Sequence, residues 1–207
     1  MKKTLVACFC ALNLWGCATT QQLSQSDRQA LSTVSVDPNV VFEEKPLFMN
    51  RTRALGGALA GVAGQGIAVA ATSGVSDEGP AGLIQYMKQN NISIPDIVRN
   101  EFIRQIKIRP DLQSKLVEGN GAAQFHLKSS WGMGQESFGA LYRPALFVWA
   151  ELVADGKVIW RGKDHITPLS GEIQGRTWQD LFISPDALRQ IYTSAAQHVI
   201  TNMLKDI

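Results

Sequence analysis

The sequence predicts an α+β fold: a small, mainly antiparallel sheet with amphipathic helices packed on it, preceded by a Gly/Ala-rich helical segment. Three observations carry this. Two apolar β-rich stretches, 143–154 and 157–162, flank Asp155-Gly156, a two-residue hairpin signal. Phe125, Leu127 and Trp131 alternate with polar neighbours, the pattern of a half-buried strand. Leu188, Ile191, Tyr192, Ala195, Ala196, Val199, Ile200 and Met203 recur at three and four, the pattern of a helix with one buried face. At 207 residues the chain is long enough for one domain, placed over 31–207. With 45% apolar residues and a mean hydropathy of −0.04, its composition is that of a soluble globular protein.

Taken in order, Thr33-Val34-Ser35-Val36 reads as a first strand, closed by the turn Asp37-Pro38-Asn39. Residues 75–81 are turn-rich and mark a boundary. A short helix follows through Leu83, Ile84, Tyr86 and Met87, ending at Asn90-Asn91. Ile97, Val98, Phe102, Ile103 and Ile106 predict a stronger helix, and Pro110-Asp111 restarts a short turn. The strand at 124–131 is followed by 132–139, read as a mobile connection. In the hairpin Val153 is expected opposite Val158, and Glu151 opposite Trp160. Ala145, Phe147 and Trp149 share one side of their strand, with Leu146, Val148, Ala150 and Leu152 on the other. Two apolar sides imply a central strand covered on both, with Trp149 and Trp160 in the core. Ser184-Pro185-Asp186 opens the last helix with an N-cap, a first-turn proline and a dipole-complementing acid.

Residues 54–74, ALGGALAGVAGQGIAVAATSG, stand apart. Gly56, Ala60, Gly64 and Ala68 fall at four-residue spacing along one side of a helix, and Gly57 and Gly61 form an adjacent pair. Small-xxx-small spacing lets helix backbones approach closely. Glycine costs a water-exposed helix about 1 kcal/mol relative to alanine, so the segment needs a partner. Three remain open: its own domain, another subunit, or a bilayer, the last resembling the glycine-zipper segments of some envelope proteins.

Residues 1–16 combine Lys2-Lys3 with an apolar run from Thr4 to Leu14, the layout of a secretory signal peptide. The run is shorter than the roughly 20 residues of a spanning helix. It ends in Leu14-Trp15-Gly16-Cys17, which resembles the signal-peptidase II lipobox of bacterial lipoproteins. Cys8 and Cys10 would leave with the signal, making Cys17 the sole cysteine of the mature chain. The resemblance implies a diacylglyceryl thioether on Cys17, an N-acyl chain such as palmitate, and, with no Asp after the Cys, an outer-membrane address facing the periplasm. Residues 17–30 are then the lipidated Cys and a flexible tether of a dozen polar residues, reaching at most ~40 Å. Loss of Lys2 and Lys3 leaves 18 basic residues against 18 acidic, and that neutrality disfavours nucleic acid as a partner.

No catalytic constellation emerges. His126, His165 and His198 lack metal-site spacing, and there is neither a GxSxG elbow nor a phosphate-binding GxxxxGK[ST] loop. Adjacent Asp164 and His165 would point to opposite sides of an extended segment. No metal or cofactor is implied. Trp131, Phe138, Tyr142 and Trp178 fall near predicted loops, where exposed aromatics often anchor partners, and are the candidate partner-binding residues. The expected function is a non-enzymatic binding or assembly-accessory subunit for an envelope component. Self-association or membrane activity through 54–71 is the alternative, and an envelope hydrolase with an unrecognised site is a further one.

Overall fold

The computed structural model describes residues 20–49, 80–135 and 141–207. Cys17, Phe138 and the small-residue face Gly56, Gly57, Ala60, Gly61, Gly64 and Ala68 lie outside the described residues.

The fold is α+β. Two long strands, β4 (Ala123–Gln135) and β5 (Leu141–Ala154), pair antiparallel along their whole length, and β6 (Lys157–Ile166) pairs antiparallel with β5. Three short strands, β1 (Val34–Val36), β2 (Val41–Phe42) and β3 (Leu47–Met49), follow one another along the far edge of β4, all parallel to it. They form in effect one strand interrupted at Pro38 and again before Pro46, because proline has no N–H to give the ladder. The last strand, β7 (Arg176–Thr177), pairs with the start of β5.

The Asp155-Gly156 hairpin forms as read, with both residues at positive φ (49° and 73°). Val153 faces Val158, but a bulge then shifts the register, so Glu151 faces Arg161 and Leu152 faces Trp160. The extra residue on β6 turns Trp160 to the side of the sheet that carries Leu146, Val148 and Leu152, where it is fully buried. The expected Glu151–Trp160 pairing would have left the indole on the opposite face.

Helices cover that buried face. In chain order they are α1 (Gln25–Ala30), α2 (Pro80–Gln89), α3 (Ile94–Lys107), α4 (Pro110–Gln113), α5 (Trp178–Phe182) and α6 (Pro185–Met203), with a final 3-10 turn at Leu204–Asp206. Ser24, Ser93, Thr177 and Ser184 cap α1, α3, α5 and α6, each side chain accepting a backbone N–H three residues on. Val98, Phe102 and Ile106 of α3 and Leu188, Tyr192, Ala195 and Val199 of α6 meet Phe125, Leu127 and Trp131 of β4 in one core. Phe102 and Trp160 each stand edge-on to Phe125, with centroids 5.1 and 5.9 Å away. The Tyr192 hydroxyl donates to the Gly132 carbonyl at 2.7 Å. At Gly132 a Cβ would lie 1.8 Å from the Leu47 carbonyl oxygen, so only glycine lets β3 approach β4 there.

Three expectations need correction. The tether ends early: from Gln21 onward the chain is docked, with Leu23 and Leu31 buried at either end of α1. Gln21 exchanges two backbone hydrogen bonds with Arg161 on the outer edge of β6 (2.9 and 3.0 Å). Arg28 of α1 pairs with Asp111 (2.8 Å), which also holds Arg109. Burial acts to raise the Asp111 carboxyl, but the two guanidiniums outweigh it and hold it below the usual range. Arg109 in turn donates to the Leu204 carbonyl, linking α1 through Asp111 to the final turn. Sequence polarity missed this because two isolated leucines have no periodicity.

Residues 132–135 are not a mobile connection but the end of β4, paired with β5 and β3. Finally, β5 is central, but among the described residues no helix covers its second face, which is closed at Ala145 and only half-buried beyond it. Phe147 and Trp149 are half-buried on the face opposite the helices, so Trp149 is not a core residue.

Candidate interaction surfaces

The predicted aromatic group divides. Trp131 is only 3% exposed: alternation along β4 carries it into the core, where it packs against Tyr192 (5.8 Å) and Phe42 (6.2 Å). It is therefore no surface anchor, because β4 extends past it rather than ending there. Trp178 is also buried, at 8%, since Thr177 caps a short helix, α5, that lays it on the domain. Tyr142 remains half-buried and meets Trp178 at 4.9 Å. Phe182 and Tyr86 continue the cluster at 4.8 and 4.6 Å. Tyr142 and Trp178 are thus brought together, but as the floor of a surface. Exposed apolar residues adjoin the cluster in sequence: Leu141, which pairs with Thr177 and precedes Tyr142, and Ile183, 79% exposed and following Phe182. Sequence reading missed both because it weighed aromatics alone.

A second surface lies on the other face of the sheet, closed at Ser130 and Ala145 (3% and 0% exposed) and open from Phe147 toward Trp149 and the β6 edge. No described helix packs over the face of β4, β5 and β6 opposite α3 and α6. Cross-strand pairing sets its rows: Lys128, Trp149 and Lys163 in one, Ser130, Phe147 and His165 in the next. His165 stacks on Phe147 (5.2 Å, 6°), Phe147 on Trp149 (6.2 Å, 17°), and the Lys128 ammonium lies 5.5 Å from the Trp149 ring. Glu151 accepts from Arg161 at 2.7 Å, and Glu43 lies 3.6 Å from Lys128. At one end His126 meets Asp37 at 2.9 Å. The Asn39 backbone N–H holds the Asp37 carboxyl below its usual range, against burial and with help from His126. The signal for this face was present in the alternation of Phe147 and Trp149. Its apolar character was read as cover by a second layer.

Some of the clefts adjoin the docked N-terminal arm, and others lie between residues 172–176 and α6. One of about 230 Å³ lies between β6 and the end of α6 and is lined by Thr20, Arg161, Lys163, Asp164, Asn202 and Asp206. A smaller one is shared by Thr20, Trp149 and Lys163. Among the described residues no three His, Cys, Asp or Glu side chains are placed to hold a metal. His126 and His165 lie on the open face, whereas His198 is on α6 beside Asn202 (3.0 Å). Also among the described residues, no helix is long and apolar enough to cross a membrane.

Chemically, these are an apolar end floored by aromatics and an aromatic stack edged by cations. No family model matches the chain, and no curated protein matches it. Among solved structures it is similar to protein XCC0632 from Xanthomonas campestris, of the family described as DUF330. That likeness has 10% sequence identity and a TM-score of 0.42, over 90% of this chain and 85% of the other.

Proposed function

We propose that the protein is a bacterial lipoprotein, held by acylated Cys17 on the periplasmic side of the outer membrane. Its α+β domain acts there as a non-enzymatic binding or assembly-accessory subunit for another envelope component. The observation that carries the reading is the run Leu14-Trp15-Gly16-Cys17, placed directly after a basic and then apolar leader. Anchoring raises the effective concentration of the domain at a partner in the same membrane, so moderate contacts suffice. What supports a contact role is a pair of exposed apolar residues, Leu141 next to Tyr142 in β5 and Ile183 next to Phe182 at the end of α5.

The test of the anchor is Cys17→Ser. Wild type is expected to incorporate radiolabelled palmitate and fractionate with the outer membrane, and the variant to do neither. Unlabelled wild-type protein, or a variant still in the outer membrane, would overturn the anchor. For the partner, a photo-crosslinker at Ile183 is expected to give one discrete adduct with an envelope protein. Absence of any adduct on folded, acylated protein would count against the accessory role.

A further inference from the structure

The chain enters the described fold at one definite place. Gln21 is held to the outer edge of β6 by its two hydrogen bonds with Arg161, and its side-chain amide donates to the Val158 carbonyl at 3.4 Å. Cys17 precedes Gln21 by four residues, a reach of at most ~14 Å at ~3.6 Å per residue. Thr20, one residue before Gln21, lines a cleft together with Trp149 and Lys163. Whatever holds Cys17 therefore holds the β6 edge, and Trp149 beside it, close by.

We propose that the open face of the sheet, from the β6 edge across Trp149 and Phe147, seats on the phospholipid headgroup layer of the membrane that carries acylated Cys17. The inference rests on the acylation proposed above. The face has the chemistry of that layer. Tryptophan belongs at the membrane–water boundary, where its apolar ring and its N–H are both accommodated. Lysines keep an ammonium at phosphate level while their stems lie along apolar surface. Lys128 and Lys163 flank Trp149 in its row, and Glu151, the acid next along β5, is engaged by Arg161. Lys128 is shared with the exposed Glu43 at 3.6 Å, which leaves Lys163 as the cation nearest the β6 edge. The apolar end at Leu141 is eight residues along β5 from Trp149, about 26 Å away at ~3.3 Å per residue. One end of the sheet is thus set by the anchor, and the other stays available to a protein.

The experiment uses acylated full-length protein in vesicles of phosphatidylethanolamine and phosphatidylglycerol, a fraction of the lipids bearing a nitroxide on the headgroup. Four of the five tryptophans follow Cys17, and of these Trp131, Trp160 and Trp178 are buried. The nitroxide is expected to quench part of the wild-type emission, and that part is expected to vanish in Trp149→Phe, which keeps the stacked ring. Near-UV circular dichroism verifies that the variant is folded. Equal quenching in the two proteins, or none in wild type, overturns the seating. Intact mass on the same samples reports acylation. Acylated protein with Trp149 unquenched sinks this inference alone and turns the face toward the periplasm, where a partner protein could take it. An unmodified Cys17 sinks the anchor and this inference with it.

Discussion

Leu23→Ala tests the docking of the N-terminal arm, on which the placement of the whole domain depends. Leu23 is 7% exposed, so nearly all of its side chain leaves water when the arm docks. Truncating a buried leucine to alanine costs about 2–5 kcal/mol. The arm can close partly over the vacancy, which favours the low end, about 2–3 kcal/mol. The readout is hydrogen exchange at two amides, Gln21 N–H and Arg161 N–H, each of which bonds across the arm–β6 junction. At roughly 1.4 kcal/mol per factor of ten, their exchange should accelerate about 30- to 150-fold. Far-UV circular dichroism should be unchanged, because the sheet and the long helices do not depend on α1. If both amides already exchange at the unprotected rate in wild type, the arm is not docked. If they are protected but indifferent to Leu23→Ala, something other than this leucine holds them. The consequence for position is large. With the arm free to Leu31, the span from Cys17 rises from ~14 Å to about 50 Å.

Gly132→Ala would force the Leu47 backbone away from β4, since the new Cβ meets main-chain atoms that cannot rotate aside. A loss of about 3 kcal/mol is expected in urea unfolding, and a variant as stable as wild type would contradict the close approach of β3. Tyr192→Phe removes the donor to the Gly132 carbonyl inside the core. The expected cost is about 1–3 kcal/mol in the same assay, and one below about 0.5 kcal/mol would mean the bond carries little. Asp37, whose folded pKa lies below its unfolded value, adds stability that is fully present above about pH 4 and lost as pH falls through the folded value. The melting-temperature advantage of wild type over Asp37→Asn should therefore shrink on acidification below that point. An advantage independent of pH would assign it to packing instead.

Much of the fold was legible because local chemistry and tertiary structure agree. The last helix begins where Ser184-Pro185 puts it, and the hairpin turns at Asp155-Gly156, since these depend on a few adjacent residues. The candidate sites were less legible. Nearness to a predicted loop does not establish exposure: Trp131 lies near the predicted end of a strand that in fact continues to Gln135. Trp178 begins a five-residue helix, α5, too short to show periodicity. Tyr142 meets Trp178 as part of a half-buried aromatic cluster, while Leu141 and Ile183 hold exposed positions.

What the sequence by itself determined is the longer elements, namely the hairpin at Asp155-Gly156, the strand through Phe125 and Leu127 and the helices α2, α3 and α6, together with the lipobox-like run ending at Cys17. These follow from period, caps and turn chemistry over a few residues, and they need no knowledge of what packs where. Tertiary structure alone decided three things. A single bulge in β6 moved Trp160 into the core and Arg161 opposite Glu151. The described helices gathered on one face of the sheet, with Phe147 and Trp149 on the other. The segment read as tether was taken up by the edge of β6 and by two buried leucines. Each is a long-range choice: a free strand edge, a register shift and the side of a layer are settled by contacts between residues far apart in the chain, and no local pattern encodes them.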